Sequence, residues 1–556
     1  MAGVGPTAPG RPPPPQVPPV ASDPAAAPAP APPQLPTPDG ELGRGLNVRA
    51  GVYHLFLSNE QKKVVKMARE GRNVFFTGSA GTGKPAVALD VIRVLRERHR
   101  HGDAVAVTAP TGVAAQLIGG TTLHRFAGMG KTDRDADKLV RKIRRQPDLI
   151  HRWRQTKALL VDEVSMLAAH VFDLLEEVAR RLRRSERPFG GIQIVLCGDF
   201  HQLHPVGDHR LLFKAKSWSS VIDEQVLLKD IHRQKKAGLT SLLNEVRVGK
   251  LEPSSRELLR RLDRPLALPA GLEPTELYPK RRDRDAANED KLAQLSTCAA
   301  EYRSRDVTEV PRFSSAAETA SKRKLVEDAL DCCAPSRLSL KLGAQVMLTR
   351  NVPSQDLVNG SVGIVTSFRR MRGGDWEDVP KGELESPVSL DGRAEQLPVV
   401  TFYRPERTLL CKPVTWEEDL VTGPKGVRLL GGSRRQLPLI LAWALTIHKA
   451  QGMTLPYVKV NLTGSFAPGQ PYVALSRATG LHDLEVVGFK SAAQLAPDQD
   501  VVKFYATLEG EGTRKNPILL DDEPDIDLKK NRRAWPADVA VSFNPILLSA
   551  LDADFV

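Results

Sequence analysis

The chain has 556 residues, with 79 lysines and arginines against 66 aspartates and glutamates, a formal charge of +13. Such a length calls for three or four domains, and 41% apolar residues are enough to build cores; no apolar run approaches the ~20 residues of a membrane helix. The positive excess points to an acidic partner, nucleic acid before membrane, although a basic stretch such as 138–154 or 180–187 is by itself usually a solvated face.

Residues 1–50 carry fifteen of the 43 prolines, many alanines and hardly any charge. They cannot bury a core and are expected to be disordered. They show neither a secretory apolar core nor the Arg/Ser-rich pattern of a mitochondrial presequence.

The next stretch carries chemistry. An apolar β-prone run, 73–77, leads into Gly78-Ser79-Ala80-Gly81-Thr82-Gly83-Lys84-Pro85, and a helical pattern follows from Val87 to Leu95. That is the strand–loop–helix setting of a phosphate-binding loop. Its glycines let backbone N–H groups turn inward on a phosphate, the helix N-terminus adds partial positive charge, and Lys84 neutralises the β/γ oxygens. Position 85 should be Ser or Thr, whose hydroxyl ligates Mg²⁺. It is Pro. Proline suits a helix's first turn, so nucleotide binding is expected to survive while hydrolysis is in question.

Two more strand ends follow. Ala158–Val161 is a buried-strand run ending in Asp162 and Glu163, and Gln193–Cys197 runs into Gly198-Asp199-Phe200-His201-Gln202. The C-terminal ends of parallel strands are where open α/β sheets place ligand chemistry. Asp162 is then the Mg²⁺ ligand, Glu163 the group that polarises the attacking water, and Gln202 the sensor of the γ-phosphate. A lone Asp-Glu pair is usually a solvated turn; three such ends in order imply an NTPase fold. Five cysteines (197, 298, 332, 333, 411) show no paired metal spacing and read as reduced thiols of an intracellular protein.

From about 510 the chain becomes a polar tail that repeats Asn-Pro-Ile-Leu-Leu at 516–520 and 544–548. The first copy precedes Asp521-Asp522-Glu523, a form suited to adding as a strand to a protein partner's sheet edge; a disordered tail with stray apolar residues is the leading account.

Several segments resemble one family. Leu57-Ser58-Asn59-Glu60-Gln61, residues 108–115 and residues 119–124 look like superfamily-one helicases of the RecD-like branch. Residues 175–180, 187–193 and 197–200 resemble the signature of Pif-type (petite integration frequency) DNA helicases, and 231–234, 343–348, 357–360, 441–452 and 472–478 are similar to the family's later motifs. The resemblance covers roughly 55–490. The family pattern has Pro at the position of His204 and usually Ser at that of Ala450.

The resemblance implies an α/β fold of two RecA-like P-loop NTPase domains, the first at 55–225 and the second assembled from 226–339 and 437–505. A small β-barrel insertion at 340–436 lies in the second, and a tail occupies 506–556. The turn-rich insertion (Asn359-Gly360, Gly373-Gly374, Asp391-Gly392, Gly431-Gly432) favours short hairpins. It implies ATP as substrate with Mg²⁺, 5′-to-3′ movement on single-stranded and forked DNA, a monomer, no membrane association, and a nuclear location with the mitochondrion second. Arg233 and Arg477 would reach the γ-phosphate from the second domain, and Gln61 would meet the adenine edge. Thr108, Thr111, Thr122, His124, Thr446, His448, Lys449, Gln470, Tyr472 and Ser476 would face DNA. A threonine at a helix start is ordinarily an N-cap, and Tyr472, like Phe126 and Phe200, is as compatible with a core position as with base stacking.

Overall fold

The computed structural model describes Met1, Gly3 and residues 57–511 apart from 101–103, 131–132, 206, 208–209, 231–236, 311–315, 373–374, 381–382, 385–387, 391–395, 423–427 and 465. Arg233, the tail pentapeptides and the Pro-rich segment, Met1 and Gly3 apart, lie outside the described residues.

β1 (Val74–Gly78), β2 (Val105–Ala109), β3 (Thr121–Thr122), β4 (Ala158–Val161), β5 (Gln193–Cys197) and β6 (Glu224–Leu228) form one sheet in the order β3-β2-β4-β5-β1-β6. Every neighbouring pair is parallel. β1, β4 and β5 are buried along their whole length because helices cover both faces, and their side chains alternate between two cores. Phe75, Leu159 and Ile194 enter one; Val74, Phe76, Leu160 and Val195 enter the other. The helix Asn59–Glu70 packs beside β1 under a Ser58 capping box completed by Gln61.

The second half holds β7 (Thr275–Tyr278), β8 (Ala300–Arg303), β9 (Arg305–Glu309), β10 (Arg337–Leu340), β11 (Gln345–Leu348), β12 (Val362–Arg372), β13 (Asp375–Asp378) and β14 (Val388–Ser389). It continues with β15 (Gln396–Phe402), β16 (Arg407–Leu410), β17 (Val414–Thr422), β18 (Arg428–Gln436), β19 (Leu439–Leu441), β20 (Ala444–Thr446), β21 (Val458–Asn461) and β22 (Leu484–Val487). A second parallel sheet runs β20-β7-β21-β22. Between its strands in sequence lies a β-rich part: the antiparallel path β16-β15-β12-β11-β19, the sheet β10-β8-β14, and the antiparallel sheet β17-β18-β9. Tyr302, Phe368 and Phe402 share the apolar core of the first two.

Three expectations need correction. Residues 300–340 do not join the second parallel sheet: β8 and β10 pair with each other and with β14, and β9 pairs with β18, so these strands go with the insertion. Gly431-Gly432 is not a turn but lies inside β18. A Cβ on Gly432 would sit 2.6 Å from the Val307 carbonyl and 2.9 Å from Val326, so glycine is needed for the helix Ala316–Cys333 to lie against this sheet. And the chain from 506 is not all tail, because a helix spans Gln499–Glu511. Its apolar positions Val501, Phe504, Tyr505 and Leu508 recur at helical spacing and enter the core of the first sheet. No helix among the described residues is long and apolar enough to cross a membrane.

Candidate nucleotide site and DNA-facing residues

The loop 78–83 leaves β1 and enters the helix Lys84–Arg98. Gly81 and Gly83 sit at φ +90° and +74°, where a side chain would be strained. Thr82 Oγ1 donates to the Ser79 carbonyl at 3.0 Å, and Lys84 Nζ donates to the Gly78 and Ser79 carbonyls at 2.8 and 3.0 Å. Ala80 N donates to Tyr472 Oη. Gln61 is buried; its amide accepts from Ser58 N and donates to the Thr82 carbonyl, so it braces the loop from below rather than standing at an open edge. Pro85 is the second residue of the helix, exposed, and offers no oxygen from its side chain.

Asp162 and Glu163 follow β4. The Glu163 amide donates to Asp162 Oδ1 at 2.8 Å, and Glu163 itself is held at φ +50°, a strained conformation for a residue with a side chain. Burial raises the Asp162 carboxyl against the pull of the Cys197 thiol, the Glu163 amide and Lys84. Burial and the Asp162 charge push Glu163 up to about 7, opposed by Lys84, Gln451 and Arg477. Gln451, after the short helix Ile447–Ala450, donates to Glu163 Oε2 at 2.9 Å and approaches Gln202 Oε1 at 3.5 Å. Arg477 is buried, with its guanidinium on the carbonyls of Val473, Ala450 and Met453 and on the Ser476 hydroxyl. Glu163 thus feels the charges of Asp162 and Lys84 from its own half and of Arg477 from the other, and Gln451 bonds it beside Gln202.

The chain is similar to known proteins along most of its length. A family model described as PIF1-like helicase matches residues 56–252, and one for the DNA helicase Pif1 2B domain matches 329–368. The ATP-dependent DNA helicase PIF1 of Emericella nidulans is 40% identical, over 83% of this chain and 64% of that protein. The ATP-dependent DNA helicase RRM3 of Saccharomyces cerevisiae is 34% identical, over 84% of this chain and 69% of its own. The chain belongs to the PIF1-like helicase family. It spans a little under two thirds of the E. nidulans relative's length. The crystal structure of Pif1 helicase from Candida albicans matches with a TM-score of 0.63 at 38% identity, covering 82% of this chain and 100% of that one. Bacteroides Pif1 bound to ssDNA matches with a TM-score of 0.54 at 27% identity, over 83% and 98%.

The residues expected to face DNA in this PIF1-like chain divide into three sets. Thr108, Tyr472 and Ser476 are buried and satisfied within the protein, so they do not reach a DNA surface: Thr108 donates to the Leu160 carbonyl, Ser476 to that of Val473, and Tyr472 to Asp199. Thr446 is buried too, and with Thr111 and Thr122 it caps a helix start, accepting from the amides of Lys449, Ala114 and Arg125 respectively. His124, His448, Lys449 and Gln470 are half-buried, and Gln470 Oε1 accepts from Ala467 N. Phe126 and Phe200 are core residues.

Sequence reasoning gave no role to Gln451, Asp199, Arg247 or Tyr505. Gln451 stands inside 441–452, a segment similar to the family's later motifs, and that is its signal. Tyr505 had none beyond its helical spacing with Val501 and Leu508.

Proposed function

We propose that this chain is an ATP-driven DNA helicase that moves 5′ to 3′ along single-stranded DNA and opens forked duplexes in repair, recombination or telomere maintenance, in the nucleus first and the mitochondrion second. The observation that carries the reading is the bond from Gln451 to Glu163 beside Gln202. It joins a group after β20 to the acid after β4, so a site for ATP is closed by both halves of the chain. A motor needs that arrangement, because hydrolysis can then alter how the halves sit together.

The residue roles follow from position. Lys84 and the loop amides hold the β/γ phosphates; a carboxylate of raised proton affinity near neutral pH suits Glu163 as the base for the attacking water. Gln202 and Gln451 orient that water and the γ-phosphate, and Arg477, with Arg233, neutralises charge developing on it. Magnesium fits here: Asp162 and Glu163 are both raised by burial, and the opposing charges of Lys84 and, at Glu163, Arg477 offset this only in part, a deficit a divalent cation would make up. Asp162 would hold it together with water and phosphate oxygens, and when bound it supplies charge neutralisation to the phosphates. Half-buried His124, His448 and Lys449 are the candidates for the phosphate track of single-stranded DNA.

The test is phosphate release and fork unwinding by the purified chain with and without single-stranded DNA. DNA-stimulated turnover supports the reading. Tight DNA binding with no turnover would favour the alternative, a DNA-binding relative whose hydrolysis is impaired at Pro85.

A further inference from the structure

Behind the phosphate loop lies a buried polar cluster that the roles above leave unused. Asp199, just past β5, is fully buried. It accepts from Arg247 Nε and Nη2 at 3.3 and 3.0 Å, from Tyr472 Oη at 3.3 Å, from Tyr505 Oη at 3.1 Å and from the His201 amide at 3.2 Å. Each tyrosine hydroxyl has one proton to give. With Asp199 taking it, each is left as an acceptor toward the nucleotide loops. Tyr472 Oη accepts from Ala80 N in the phosphate loop at 2.9 Å. Tyr505 Oη accepts from Phe200 N at 3.2 Å and pairs with Thr77 Oγ1, one residue before the loop begins.

The two tyrosines arrive from distant segments. Tyr472 sits on the helix Gln470–Leu475, in the core of the second half. Tyr505 sits on the helix Gln499–Glu511, which is anchored in the first half: Phe504 stacks on Phe213 at 4.3 Å and 11°, and Val501 and Leu508 enter the same core. Arg247 stands over the Tyr505 ring at 4.5 Å. It lies in the last turn of the helix Ala237–Val248.

We propose that Tyr472 and Tyr505 are positioning residues that hold the phosphate loop and the Gln202 turn in register through Asp199, so that the second half and the C-terminal helix set the geometry for ATP hydrolysis. The inference rests on the hydrolytic reading above. The geometry favours it over a purely structural role because both hydroxyls accept from the loops that would handle phosphate, one at Ala80 and one two residues before Gln202. Removing either hydroxyl frees a loop amide while leaving the ring and its packing in place.

The experiment uses the full chain and three variants, Tyr505→Phe, Tyr472→Phe and Leu508→Ala, the last altering the same helix without touching either loop. Three quantities are read: kcat and KM for ATP with single-stranded DNA, the thermal midpoint, and amide exchange across 77–83 and 198–203. Each Tyr→Phe change should lower kcat about tenfold, the size of one hydrogen bond to a charged acceptor, and kcat should fall more than KM rises. Exchange should quicken at Phe200 in Tyr505→Phe and at Ala80 in Tyr472→Phe. Leu508→Ala should lower the midpoint more than either yet keep kcat below its transition. Unchanged kcat or unchanged exchange in the tyrosine variants would overturn the proposal, and so would a Leu508→Ala loss of kcat equal to theirs. If the parent chain turns over no ATP, the hydrolytic reading fails and the exchange measurement alone decides the positioning role.

Discussion

β4 and β5 lie side by side, and each leads into acidic residues, half-buried Asp162 and Glu163 after β4 and fully buried Asp199 after β5, yet the two ends handle charge in opposite ways. After β4, burial raises both Asp162 and Glu163, and Lys84 compensates only in part. After β5, burial alone would also raise Asp199, but Arg247, with Lys84, outweighs it and holds that carboxyl far below the usual range. The first end is kept short of positive charge, and so is receptive to a cation and able to take a proton. The second is saturated with donors and locked. A buried carboxylate is thus a reactive group or a fastening according to what faces it, and strand position alone does not tell which.

The largest expected effect falls on the locked end. Arg247→Leu leaves Asp199 buried and unpaired, and loss of one partner of a buried ion pair costs about 3–5 kcal/mol. Denaturant unfolding should show it, and Asp199→Asn combined with Arg247→Leu should recover part of the loss. Equal stability of the single variant and the parent would break the comparison.

The receptive end should respond in rate and not in stability. Glu163→Gln keeps shape and the capacity to bond Gln451 but cannot take a proton. Turnover should drop about 10²–10³-fold, the typical cost of one such group, while ATP binding persists and the unfolding midpoint stays put or rises. A loss within about twofold would deny Glu163 its role.

How far these ends were legible follows from the same physics. β1, β4 and β5 announce themselves because strands buried on both faces read as continuous apolar runs, and their polar ends mark the ligand side. Lys84, Asp162, Glu163 and Gln202 came with them. The lock was silent: Arg247 and Tyr505 lie 48 and 306 positions from Asp199 in sequence, and neither an arginine in a basic chain nor a tyrosine near a polar tail declares a partner. The threonines misled in a different way. Short hydroxyls at strand ends and helix starts suit phosphate contact and N-capping equally, and Thr111, Thr122 and Thr446 serve as caps here. Strands 300–340 were misplaced because pairing between short, partly polar strands depends on partners far along the chain.

The lock also predicts a sensitivity to acid. The His201 ring lies 4.6 Å from that of Tyr505, tilted by 31°, and neither ring nitrogen has a hydrogen-bond partner among the described residues. Burial and then Arg247 lower its pKa to about 3. A base whose folded pKa is depressed leaves the folded state fully favoured only above its unfolded value. Stability is lost as pH falls from about 6.5 toward 3. At pH 5, about 1.5 units below the ordinary histidine value, the penalty is about 2 kcal/mol. His201→Phe should remove that share of the pH dependence in urea unfolding between pH 7 and 5. The same slope in the variant and the parent would place the acid sensitivity elsewhere.

The smallest expected effect tests the receptive end from its other side. Pro85 occupies the helix's first turn, where a Ser or Thr hydroxyl would complete the metal's coordination. Without it, a Mg²⁺ ion bound as proposed would have only Asp162, water and phosphate oxygens, and Mg²⁺ demands near-ideal octahedral geometry. Water can take the missing place, so ATP affinity should be only mildly weakened. Positioning and charge stabilisation, however, are nearly the whole of phosphoryl-transfer catalysis, so turnover should suffer more than binding. Pro85→Ser should raise DNA-stimulated kcat about tenfold, the order of one well-placed hydrogen-bonding or ligating group. The change in KM for ATP should be smaller, and the helix should hold because serine is also accepted in a first turn. Equal kcat in the two proteins would mean that the receptive end already supplies the metal's full coordination, with an oxygen other than a residue-85 hydroxyl completing it.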